Sequence, residues 1–158
     1  MPRNCSQTVL GWNAIGTHIQ MYDTSVSPAV YRPIAKIDDV TGPQGKTSVI
    51  DVTTHDTTNG TVQKVANLSD SGQVTMSAVW DPTDATHNEL NFYGLLQAYN
   101  DKQIRTWRIV YPTSPSMEIN FCGFVAMYQP SAKAKDVLRA SFSIEVTGGF
   151  DLELTSAD

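Results

Sequence analysis

The chain has 158 residues, 41% hydrophobic and only 17% charged, enough for one domain with its own core. Its formal charge of −5 argues against gripping a nucleic-acid backbone or an anionic membrane surface, which both need a cationic face. Cys5 and Cys122 suggest free thiols in a reducing compartment, and neither a signal peptide nor a membrane-spanning run is apparent, so a soluble protein made in a cytoplasm is expected.

Residues 1–17 look like an N-terminal arm. "HIQMYD" (18–23) alternates and predicts a short strand. "VYRPIAKIDDV" (30–40) is apolar enough for another, with Pro33 at an edge or at its beginning. After the turn cluster "TGPQG" comes "KTSVIDVTT" (46–54), β-branched and strand-like. From Thr54 to Gly72 the chain is polar and contains Asn59-Gly60, a turn dipeptide. This reads as one long loop, and loops of that size usually carry function. "QVTMSAVWDP" (73–82) alternates again. Phe92, Leu95, Leu96 and Tyr99 then form one apolar stripe, predicting a helix over about 85–99 with Asp84, or Thr86 with Glu89, as its cap. Strands follow at 104–111, 117–129 and 137–148, and 149–158 is expected to be a C-terminal tail. About seven strands and one helix predict a mainly β single domain, 1–158: a β-sandwich or barrel with a flanking helix.

The stretch "VIDVTTHDTTNG" (49–60) is where a metal or catalytic site would be sought. On a strand His55 and Asp56 point to opposite faces, and Asp51 lies about 13 Å from His55 along the chain. A strand end hydrogen-bonding into a loop fits these residues better. His18 and His87 stand alone, and the sequence carries no HExxH, GxSxG or phosphate-cradling glycine loop. "DPTDATHNE" (81–89) has oxygen ligands but lacks the glycine and spacing of a calcium loop; helix capping explains it. Trp80 and Trp107 read as core residues of strands. No enzyme activity, metal or cofactor is expected.

The order of these features resembles the tail tube, or major tail, proteins of long-tailed non-contractile phages. Val52-Thr53 and His55-Asp56 fit the family's first segment, Leu68, Asp70 and Gly72 its turn, and Trp80-Asp81-Pro82 its strand end, with Asn67 where the family often has glycine. The similarity runs from about residue 30 to 150. It implies a β-sandwich flanked by a helix, six copies closing a ring, and rings stacked around a tape-measure protein into a tube through which double-stranded DNA later passes. The implied location is the phage tail of the virion, and the implied partners are further copies of the chain and the tail tip and terminator proteins, with no membrane. A type VI secretion tube subunit is the same architecture in another machine. A carbohydrate-binding β-sandwich module and a small hydrolase using His55 or His87 are the competing functions.

On the tail tube reading the loop 54–72, with Thr54, His55, Asp56, Asn59, Gly60, Leu68, Asp70 and Gly72, lies against a neighbouring copy in ring stacking. Acidity suits a DNA conduit, because a basic wall would hold the duplex at many points. Asp51, Glu118 and Glu145, on polar strand faces, are the candidate lumen acids.

Overall fold

A computed structural model describes residues 14–55 and 60–155. The described elements are β1 (His18–Asp23), β2 (Val30–Pro33), β3 (Ile37–Thr41), β4 (Lys46–Asp51), β5 (Lys64–Asp70), β6 (Gln73–Val79), α1 (Leu95–Asp101), β7 (Arg105–Tyr111), β8 (Ser116–Ser131) and β9 (Arg139–Thr155). Seven strands form one sheet in the order β2-β1-β7-β8-β9-β6-β3, antiparallel throughout, and β4 pairs with β5 in a second.

Alternation in the sequence becomes an inside and an outside. Ile19 and Met21 of β1, Val74, Met76 and Ala78 of β6, Trp107 and Ile109 of β7, and Phe142 and Ile144 of β9 are buried in one core. Residues from both halves of the sheet share that core, so the sheet curls over on itself, as in a sandwich. The curl does not close into a barrel. β3 comes near β1 without pairing to it. A cleft of about 550 Å³ remains there, lined by residues that include Ile37, Val40, Tyr111 and Met117. Helix α1 packs against β8 and buries Leu95 and Ala98.

Several expectations are corrected. The single strand over 30–40 is two strands, β2 and β3, at opposite edges of the sheet. Lys36, at φ 61°, turns the chain between them. The helix expected from residue 85 begins only at Leu95, and its N-cap is Gly94, not Asp84 or Thr86. The reason is local competition. Asp81 accepts from the Thr83 N–H (2.9 Å), Asp84 from the Thr86 N–H (2.9 Å) and Asn88 from the Leu90 N–H (3.1 Å). These bonds hold the preceding segment in turns. The strand expected over 46–54 stops at Asp51, whose carboxylate accepts from the Thr53 N–H at 2.9 Å. The expected 149–158 tail is strand as far as Thr155. Of the proposed 1–17 arm, residues 1–13 lie outside the described residues, and 14–17 include a turn with Thr17 N–H donating to Ala14 O (3.1 Å).

Candidate assembly surface

The region read as a long loop is largely a β-hairpin. β4 and β5 pair from Lys46 opposite Asp70 to Asp51 opposite Lys64. This ladder carries on from the one below it, where Thr41 of β3 lies opposite Thr75 of β6. β3–β4 and β5–β6 are therefore the two sides of one long arm, bent where it leaves the sheet. The bend is set by Gly42 (φ 108°) and Gly72 (φ 65°). A Cβ on Gly42 would lie 2.5 Å from the Gln73 carbonyl oxygen, and one on Gly72 2.9 Å from that of Gln44. Only glycine fits either position.

Asp70 and Gly72 of the anticipated turn meet here: the Asp70 carboxylate accepts from the Gly72 N–H at 2.8 Å. Leu68 is close in sequence but stands out at 78% exposed. Thr54 and His55 lie beyond β4 on the exposed outer arm, where Gly60 adopts φ 62°. Asp56 and Asn59 lie outside the described residues. Every residue of β4 and β5 is exposed. Val49 lies opposite Ala66 and Ile50 opposite Val65. Successive positions on a strand point to opposite faces, so the arm is apolar on both.

A second uncovered region is the outer half of β9. β6 pairs with it only over Arg139–Glu145. One further bond, Val146 N–H to Gly72 O (3.0 Å), ends the contact. From Thr147 to Thr155 only β8 covers the strand, and its other edge is open. Phe150 and Leu152 lie opposite the buried Phe121 and Ile119 on the core-side face. Yet Phe150, Leu152 and Leu154 are 36%, 56% and 62% exposed. Open edges are normally blunted by proline, charged side chains, bulges or a cover; residues 147–155 contain neither proline nor lysine, carry Asp151 and Glu153, and bulge at Gly148-Gly149.

The three candidate lumen acids do not converge. Asp51 sits on the arm, and its bonds from Thr53 hold its carboxyl below the ordinary aspartate value. Glu118 is half-buried and lies 3.5 Å from the Arg108 guanidinium, which also stacks 3.8 Å over Tyr31 and donates to Gln20 Oε1. Its charge is matched. Glu145 is exposed on the polar face of β9, opposite Gln73 and Phe124. Two further acids belong with Glu118: Glu153 lies opposite it, and Asp151 opposite Asn120. The alternation "FDLELT" (150–155) was the available signal, hidden behind Gly148-Gly149.

Two of the three histidines, His18 and His87, have structural partners. His87 is buried and stacks on Trp80 at 5.4 Å; its Nε2 donates to Ala35 O (2.6 Å) and its Nδ1 accepts from the Asp81 N–H (3.2 Å). His18 Nδ1 bonds Gly16 O at 3.0 Å. Among the described residues, no group of three or more His, Cys, Asp or Glu could hold a metal ion, and no helix is long and apolar enough to cross a membrane.

A family model described as lambda phage tail tube protein, TTP, matches residues 12–152. No curated protein sequence matches. Among solved structures, the fold is similar to "Tail of empty GTA particle computed with helical refinement, C6 symmetry" (TM-score 0.68, 13% identity, 92% of this chain and 100% of the other). It is also similar to the SPP1 tail tube (TM-score 0.62, 10% identity, 89% and 78%) and to a PVC sheath–tube complex of an extracellular contractile injection system (TM-score 0.62, 14% identity, 88% of each).

Proposed function

Because this chain belongs to the lambda phage tail tube protein family, we propose that it is a structural virion protein whose copies close into rings of six. The rings stack into a hollow tube around a tape-measure protein, between tail tip and terminator, and double-stranded DNA passes through during ejection. The observation that carries this reading is the pair of uncovered β surfaces, the arm apolar on both faces and the open edge of β9. Both stand uncovered in the subunit as the structure has it, whereas a neighbouring copy would bury both. The arm reaches away from the body and suits the contact between stacked rings.

Within such a tube, Glu145 is the lumen candidate best able to repel DNA. It is exposed and makes no ion pair among the described contacts, whereas Glu118 is matched by Arg108. Repulsion acts over about one Debye length, roughly 8 Å at physiological salt, which centres a duplex without stopping it.

Electron microscopy of the concentrated protein, alone and with tail-tip complexes and tape-measure protein, tests the assembly. Hollow tubes with six-fold rings are expected; a protein that stays monomeric under all these conditions overturns the proposal. The likeness to a sheath–tube complex of an extracellular contractile injection system supports a second reading, the tube of an injection system. Tubes recovered from DNA-filled virions rather than from secreted injection particles separate the two.

A further inference from the structure

We propose that the β4–β5 arm is a strap: in the free subunit β5 folds down onto the open edge of its own β9, and lifting it exposes both surfaces for assembly. The consequence for assembly rests on the tube reading; the contact itself does not.

Register points to the contact. β6 and β9 run antiparallel with Val79 opposite Arg139 and Gln73 opposite Glu145. β5 precedes β6 by only Ser71 and Gly72. Continued in the same register, Lys64–Asp70 falls opposite Gly148–Leu154, the stretch of β9 that lacks a second neighbour. The faces agree as well. Ala66 and Leu68 come beside Leu152 and Phe150 on the core-side face, and Val65 and Asn67 beside Glu153 and Asp151 on the other. β9 bulges toward β8 at Gly148-Gly149, since Thr147 and Phe150 lie opposite the consecutive Cys122 and Phe121. A two-residue slip at the bulge keeps the parity and sets Leu68 beside Leu152 and Ala66 beside Leu154.

The structure shows the strap raised, with Gly45 at its base close to the Phe150 ring. Between Leu68–Ser71 and Val146–Gly149 lies a wedge-shaped cleft of about 530 Å³. Ser71 Oγ donates to Gly148 O at 2.8 Å, tying the two sides together. Glycines at both strands of the bend, Gly42 and Gly72, give the arm a hinge, and one register runs across it, from Thr41 opposite Thr75 to Lys46 opposite Asp70, before shifting beyond Thr47. Lowering it gives the edge amides and carbonyls of β9 their partners and covers Phe150 and Leu152. In a free subunit nothing else does so. In a tube, neighbouring copies compete for the same groups, so closure delays assembly until a growing end offers them.

Crosslinking tests the strap. In a chain with Cys5 and Cys122 changed to Ser, the pairs Ala66→Cys with Leu152→Cys and Ala66→Cys with Leu154→Cys cover both registers. On mild oxidation of dilute subunits, at least one pair should form an intrachain disulfide in the monomer. The oxidised protein should polymerise at least ten-fold more slowly, with the rate restored by reductant. Hydrogen exchange on the unmodified subunit should show slowed amides across residues 150–154, independent of any substitution. The strap is overturned if neither pair closes within a monomer, if disulfides form only between copies, if the oxidised protein assembles at the reduced rate, or if those amides exchange freely. If the reduced and unmodified proteins never form tubes, the tube reading fails, while the monomer disulfide and exchange still decide the contact.

Discussion

The body of the sheet and the arm are built from the same β-branched vocabulary and end in opposite states. In β7 and β6 every second side chain enters the core: Trp107 and Ile109, Val74, Met76 and Ala78 are all buried. In β4 and β5 no residue is buried, although Val49, Ile50, Val65 and Leu68 are as apolar. The difference lies in what stands opposite. The body strands face each other across the curl, whereas the arm has left the sheet at two glycines and buries no residue of β4 or β5 against the rest of the chain. Stability therefore resides in the body, and the proposed association in the arm and the outer half of β9.

Core truncation should produce the largest effect and fall only on the body. Phe142→Ala removes a buried ring that touches Trp80 and Tyr128, and should lower unfolding stability by about 3–5 kcal/mol in denaturant titration. Leu68→Ser and Leu152→Ser, at exposed sites, should change stability by only about 0.5 kcal/mol while abolishing tube formation seen by microscopy. A large stability loss in the arm variants would erase the comparison.

Next comes the ion pair that fixes the β1–β2 edge. Asp23 is buried; burial raises its pKa, but bonds from Ser25 and from Arg32 (2.5 Å) outweigh this and hold it below the ordinary aspartate value. Asp23→Asn should cost on the order of 2 kcal/mol, the scale of hydrogen bonds to a charged group. Because the folded value is depressed, the contribution is present above about pH 4, the unfolded aspartate value, and is lost as pH falls below it. The stability difference between wild type and Asp23→Asn should therefore shrink on acidification through that range. A difference that stays constant under acidification to about pH 2, well below the unfolded aspartate value, would remove the assignment.

A smaller effect sharpens the boundary between the two regions. Gly72→Ala puts a Cβ against the Gln44 carbonyl and strains a positive φ, so the raised arm should lose about 1 kcal/mol. Tube assembly should slow while the thermal midpoint of the body moves little. Unchanged assembly would show that the bend is not needed. The smallest effect is on charge: Glu145→Lys should leave stability and tube formation intact and slow DNA ejection, most at low salt, whereas Glu118→Gln should act through Arg108 on local stability. Ejection kinetics indifferent to Glu145→Lys would take that residue off the path of the DNA.

The strands of the body were legible because burial on one face writes a period of two into the sequence, as in "QVTMSAV" and "ASFSIEV". Only half of the arm was. β4 was legible from its β-branched run, but β5, "KVANLSD", mixes polar and apolar residues with every position exposed, so no burial imposes a pattern, and it reads as loop. The helix starts about ten residues later than its expected cap suggests, because Asp81, Asp84 and Asn88 bind nearby backbone instead of capping a helix. The outer half of β9 is hidden by Gly148-Gly149, which form a bulge inside the strand and not its end.

By itself the sequence determined the mainly β character, the identity of the core strands and the family resemblance, because these depend on alternation and on the order of segments along the chain. Tertiary structure decided which strands are neighbours, that β2 and β3 part to opposite edges, that Glu118 is neutralised by Arg108, and that the arm and the end of β9 are left uncovered. Those outcomes depend on pairing between residues far apart in the chain, and on two glycines whose positive φ bends a hairpin out of its sheet. A linear pattern of polar and apolar residues carries neither.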